Sequence, residues 1–134
     1  MREKYGYISQ HSHMLDGTVT DNLTLSKELD KQKVDHILDR LKLSHTKYTD
    51  PQRLSMGEQQ RLNFGRVLYR DACNLLLCDE IFSNIDKGNR HMVAKALTDK
   101  FPTATVVLIS HEDVPYRIDR ILHVENTNVV EVEK

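Results

Sequence analysis

The sequence predicts an α/β fold with a parallel sheet at its core. Two apolar runs carry that expectation, Leu75-Leu76-Leu77-Cys78 and Thr105-Val106-Val107-Leu108-Ile109. Each stops abruptly at polar residues, Asp79-Glu80 and Ser110-His111-Glu112. Unbroken apolar runs of this length suit strands buried on both faces of a parallel sheet. Between them, residues 87–100 read as a helix with Met92, Val93, Ala96 and Leu97 turned inward. The order is therefore strand, helix, strand, and ligands of such sheets bind beyond the carboxyl ends of the strands.

The remaining elements follow in chain order. Tyr5-Gly6-Tyr7-Ile8-Ser9 is a short β-prone run, followed by a polar stretch from Gln10 to His13. Thr18 to Leu25 predicts a short helix, and residues 30–43 a better one. There Asp30 is placed to cap, and Val34, Ile37, Leu38 and Leu41 repeat at helical spacing. The polar connector from Ser44 to Arg53, with Asp50-Pro51 inside it, interrupts the pattern. Helix resumes from Gly57 to about Asp71, with Leu62, Val67 and Leu68 as core candidates. Gly65 within it costs up to about 1 kcal/mol relative to Ala, which points to close packing. Arg120 to Glu125 and Asn128 to Glu133 alternate like a hairpin turning at Asn126-Thr127.

Composition narrows the function classes. Of 134 residues, 39% are hydrophobic and 29% charged, which supports a core and argues against disorder. Nineteen Lys and Arg against twenty Asp and Glu give a net charge of −1, so no nucleic-acid partner is expected. No apolar run approaches a membrane span, so no direct membrane insertion is expected. Two cysteines, Cys73 and Cys78, exclude a disulfide framework and suit a reducing cytoplasm.

Several residues carry chemistry. Adjacent carboxylates at a strand end, Asp79 and Glu80, can divide labour: one helps hold Mg²⁺, the other polarises an attacking water. Leu54-Ser55-Met56-Gly57-Glu58-Gln59-Gln60-Arg61 opens a helix. A hydroxyl, a glycine and free N–H groups at that end suit a terminal phosphate. Ser55 with Glu58 three residues on is equally a plain capping box, and the two roles are compatible. His111 follows the second strand, where an imidazole can bond a phosphate oxygen or a carboxylate. Gln10 follows the first strand, and its amide can reach a metal or water.

In this order and spacing the features resemble the nucleotide-binding domain of ABC ATPases, nearly end to end. Tyr7-Ile8-Ser9-Gln10 resembles the Q-loop, and residues 15–23 after it resemble the exporter style. Leu54 to Glu58 is similar to the signature, Leu75 to Glu80 to Walker B with its glutamate, Ser83-Asn84-Ile85-Asp86 to the D-loop, and Ile109-Ser110-His111 to the switch-histidine loop. The resemblance implies a partial P-loop NTPase fold, with a parallel sheet core, a small helical subdomain over about residues 14–72, the C-terminal part of the ATPase core over 73–134, and a C-terminal β-hairpin. It implies ATP and Mg²⁺ as cofactors. Glu80 would be the general base and Asp79 would support Mg²⁺. Gln10 would sense metal and water and link them to a membrane partner. His111 would contact the γ-phosphate and hold Glu80. Ser55, Gly57 and Glu58 of the signature would face a nucleotide held by a second nucleotide-binding domain, and Asp86 would line that dimer interface. The expected partners are that second domain and the transmembrane domain of a transporter, at the cytoplasmic face of the membrane.

The sequence also departs from the family pattern. A phosphate-cradling loop needs a Gly-Lys pair, and the five glycines are followed by Tyr7, Thr18, Glu58, Arg66 and Asn89. The chain therefore reads as the C-terminal portion of such a domain, lacking the P-loop half, and in isolation it is expected to be without ATPase activity. Met56 stands where the family has the first signature glycine, and Glu58 where glutamine is usual. The expected function is part of an ATP-hydrolysing subunit that powers transport, with export the expected direction. The alternative is a regulatory or vestigial module docking on a full-length partner. A head fragment of the chromosome-maintenance ATPases ranks last, because the span from Gln10 to Ser55 has no room for their long coiled coil.

Overall fold

Each helix begins where the sequence supplies a side-chain cap. In the computed structural model, which describes residues 5–9, 13–25, 27–111, 114 and 118–132, Thr18 and Asp21 form a reciprocal capping box at helix α1, Val19–Thr24. Asp30 accepts the Lys33 N–H to start α2, Lys31–Arg40. Ser55 and Glu58 close a second capping box on α3, Met56–Leu68. Asp86 accepts the Asn89 N–H, 3.0 Å, to start α4, Lys87–Lys100. Such caps satisfy amide groups that the first turn leaves unpaired.

Two helices stop earlier than the periodicity suggests. Lys42 adopts φ +57, and Leu43 N–H bonds back to the Leu38 carbonyl, 2.7 Å. The chain thus leaves α2 after Arg40 while still burying Leu41 and Leu43. Beyond α3, the Tyr69 hydroxyl donates to the Glu28 carbonyl and accepts the Asp30 N–H. That anchor turns the chain two residues before the expected Asp71.

The sheet has the order β1-β2-β3, with β1 at Tyr5–Ser9, β2 at Leu75–Asp79 and β3 at Thr105–Ile109, all parallel. Its even-numbered residues on β1 and β2 and its helices make one core. Ile8, Leu76 and Cys78 are buried there with Leu62, Phe64, Val93 and Leu97. Gly65 sits where α3 crosses α1 and α2: a Cβ would lie 2.7 Å from Leu23 Cδ1 and 3.0 Å from Leu41 Cδ1. The close packing expected at Gly65 is present.

One expectation is corrected. Neither β2 nor β3 is buried on both faces. Leu75 and Leu77 are half-buried, Val107 is 45% exposed and Ile109 56%. These residues share one face with Tyr5 and Tyr7, which are also exposed. The helices pack against the other face, so the apolar run reports a strand patterned for two covers while the described residues supply one.

The hairpin forms, β4 at Ile121–Glu125 against β5 at Asn128–Val132, with Arg120 just before it and Glu133 of the expected span outside the described residues. Asn126 and Thr127 both adopt positive φ, the geometry that matches the twist of a two-residue turn.

Candidate functional site

Three parallel strands in register bring their carboxyl ends side by side. Ser9, Asp79 and Ile109 lie abreast at the carboxyl edge of the sheet. The residues that follow Asp79 and Ile109 are therefore neighbours at one edge. Gln10, which follows Ser9 in the chain, lies outside the described residues.

At this edge the chain turns sharply. Glu80 leaves β2 with φ +53, a left-handed conformation that costs a side-chain-bearing residue about 1–3 kcal/mol. Its N–H donates to the Ile109 carbonyl, 2.9 Å, which locks the turn to the end of β3. Its carbonyl accepts from the Ser83 hydroxyl, 3.3 Å. The turn brings the Glu80 carboxylate to 3.1 Å from His111 Nε2. Glu80 is 25% exposed and His111 91%, so an imidazole open to solvent holds a half-sheltered carboxylate. A carboxylate held this way can accept a proton from a water placed over the strand ends.

No group of three or more His, Cys, Asp or Glu able to hold a metal by itself occurs among the described residues. A magnesium ion bound together with phosphates takes only one or two carboxylates and keeps several waters. Asp79, half-buried at the sheet edge, fits that modest requirement.

The other candidates assemble elsewhere. Ser55, Gly57, Glu58 and Asp86 line one cleft of about 430 Å³, together with Arg61, Asn84 and Asn89. Neither Asp79, Glu80 nor His111 lines it. Gly57 makes this cleft possible, because the backbone of Asn84 runs directly over it. Phe64 stacks on Phe82 with ring centroids 5.9 Å apart, which fixes α3 against the loop from β2 to α4. The backbone hydrogen bond from Ser55 holds the Glu58 carboxyl below its ordinary range, and Arg61 and His45 add to the effect. The Asn89 backbone N–H likewise lowers Asp86. Met56 is 67% exposed and does not line the cleft. The sequence alone assigns no role to Arg61, Asn84 or Asn89. Arg61 and Asn84 sit inside the segments 54–61 and 83–86, where a polar residue near a helix cap is the available signal.

The family model described as ABC transporter matches residues 1–83 of the chain. The chain belongs to the ABC transporter family. It is 35% identical over 142 residues to the methionine import ATP-binding protein MetN of Histophilus somni, a match covering 97% of this chain and 41% of that protein. It is 32% identical over 138 residues to the macrolide export ATP-binding/permease protein MacB of Chlorobaculum tepidum, covering 96% and 21%. The chain thus spans about two fifths of the MetN relative's length. A solved ABC transporter of metal-chelate type, in an inward-facing conformation, shares the fold with a TM-score of 0.73 at 22% identity, covering 97% of this chain and 58% of that one. This ABC family chain has no helix, among the described residues, long and apolar enough to cross a membrane.

Proposed function

We propose that this chain is part of an ATP-binding and ATP-hydrolysing subunit that powers an ABC transporter. One observation carries the reading: the parallel register sets Asp79 beside Ile109, and the left-handed turn at Glu80 then delivers its carboxylate to His111 at 3.1 Å. In this reading Glu80 is the general base that takes the proton of the attacking water. His111 orients Glu80 and reaches the γ-phosphate. Asp79, with Gln10, supports Mg²⁺, whose charge offsets that developing on the phosphates. Ser55, Gly57 and Glu58 face the nucleotide of a second nucleotide-binding domain, with Asp86 at the shared interface. Residues 14–72 act as a helical subdomain and 73–134 as part of the ATPase core. A transmembrane partner keeps the subunit at the cytoplasmic face of the membrane.

Import stands ahead of the expected export as the direction of transport. Methionine-import proteins recur among the relatives, and a macrolide exporter stands beside them. The regulatory alternative draws support from the lack of a Gly-Lys pair in these residues. Positioning and electrostatics supply nearly all of phosphoryl-transfer catalysis, so the 134 residues alone are expected to bind ATP weakly and not to hydrolyse it. The test joins residues 1–134 to a P-loop half from a methionine-import relative. Mg²⁺-dependent hydrolysis by the joined protein, with none above a blank from residues 1–134, supports the reading. Micromolar ATP affinity or turnover by residues 1–134 alone contradicts the inactivity of the isolated chain. A joined protein that binds Mg²⁺-ATP without hydrolysing it favours the regulatory module.

A further inference from the structure

Met56 has no part in the proposed reaction, and it stands where the family has glycine. Of the four methionines, Met1 lies outside the described residues. Met14 and Met92 are partly buried against the core, and Met14 Sδ also lies 3.9 Å from Arg66 Nη2. Met56 differs from both. It is the first residue of α3 and is 67% exposed. Its chain neighbours Ser55 and Gly57 line the cleft, and Met56 does not. An accessible thioether therefore stands beside the cleft, between two of the residues that build it.

The thiols of the chain are sheltered by comparison. Cys73 and Cys78 are both buried, and burial pushes the Cys78 thiol up to about 12, which keeps it protonated and slow to react. Oxidation of methionine turns a flexible apolar side chain into a polar sulfoxide, and dedicated reductases reverse it.

We propose that Met56 is a peroxide-sensitive modification site whose oxidation weakens the docking of a second nucleotide-binding domain on the cleft. The thioether sulfur attacks one oxygen of hydrogen peroxide, so that an S–O bond forms and the O–O bond breaks. The sulfur-bound hydroxyl gives its proton to the departing hydroxide, which leaves as water. Sulfur loses two electrons and the peroxide gains them; two thiols of a reductase return them, giving a disulfide and water. In the free chain the sulfoxide is solvated and costs the fold little. A domain seated over Ser55 and Gly57 covers the position between them and strips water from the sulfoxide oxygen, a strong acceptor. This consequence rests on the proposed ATPase reading, in which Ser55 and Gly57 face the second domain's nucleotide; the modification site does not.

The test has two arms. Residues 1–134 are treated with hydrogen peroxide at neutral pH, and each methionine is followed by mass spectrometry of its own peptide. Met56 is expected to oxidise at least tenfold faster than Met14 and Met92, and the denaturation midpoint of the chain oxidised at Met56 to stay unchanged. Equal rates at the three positions overturn the site. A lowered midpoint overturns the docking role and makes the oxidation a lesion of the fold. The second arm compares the joined protein untreated, peroxide-treated, and treated then reduced by methionine sulfoxide reductase. Treatment is expected to lower ATP hydrolysis and ATP-dependent dimer formation at least fivefold, and reduction to restore both. Met56→Leu keeps an apolar side chain without the sulfur, and after treatment it is expected to stay within twofold of its own untreated values. A loss in Met56→Leu equal to that of the unsubstituted protein overturns the docking role, as does hydrolysis lost with dimer formation unchanged. If the untreated joined protein does not hydrolyse ATP, the ATPase reading falls and the docking role with it, while the peptide rates still decide the site.

Discussion

Gly57 and Asn84 approach so closely that a Cβ on Gly57 would lie 2.7 Å from the Asn84 carbonyl oxygen. Backbone cannot swing aside as a side-chain end can, so Gly57→Ala must push the chain at Asn84 away from α3. Overpacking of this kind costs about 1–3 kcal/mol. The expected result is lower stability together with chemical-shift changes concentrated at Asn84, Ile85 and Asp86. A variant of unaltered stability and spectrum would show that this contact is slack.

Gly65→Ala sets two effects against each other. Alanine gains about 1 kcal/mol of helix propensity over glycine, but its Cβ would press on Leu23 and Leu41. Both leucines are fully buried, so their Cδ1 atoms must shift within a packed core to admit it. Overpacking at about 1–3 kcal/mol exceeds the propensity gain, so the denaturation midpoint is expected to fall. A rise would mean that Leu23 and Leu41 yield.

How much of this was legible in the sequence varies by the kind of signal. Local chemistry was readable: Asp30 and Ser55 cap where expected, α4 spans the predicted residues 87–100, and Gly65 packs tightly. Helix ends set by distant partners were not. The Tyr69 hydroxyl helps end α3 short of the expected Asp71 by bonding residues 28 and 30, which no local pattern encodes. The run Thr105–Ile109 shows that a strand is apolar on both faces, but it cannot show that the covering layer lies among the described residues. At the sheet edge, register explains why Glu80 and His111 meet beside Asp79. The hydrogen bonds from Arg66 to the Asn22 carbonyl and Oδ1, 3.0 and 2.8 Å, are not legible in the sequence because the two residues lie 44 apart and each looks ordinary alone.

Stability should depend on acid pH through Glu58. Its folded carboxyl is held below the ordinary glutamate range, by the Ser55 backbone hydrogen bond first. A depressed folded pKa contributes stability that is full above the unfolded value and is lost as pH falls through the folded one. The stability advantage of the unsubstituted chain over Glu58→Gln is therefore expected near neutrality and should shrink as pH drops below about 4.5. Denaturant titrations at stepped pH measure it. A gap that stays constant down to pH 3 would remove Glu58 from this role.

The most direct measurement of the account is ATP turnover and Mg²⁺-ATP binding by Glu80→Gln in the complete joined protein, beside Asp79→Asn. Gln keeps the size of Glu80 but cannot take the water's proton, and loss of a positioned base costs about 10²–10⁴-fold in rate. Glu80→Gln is predicted to lose turnover on that scale while nucleotide binding survives and closed dimers accumulate. Asp79→Asn is predicted to weaken Mg²⁺-dependent binding as well. Near-normal hydrolysis by Glu80→Gln, or the same binding defect in both variants, would contradict it.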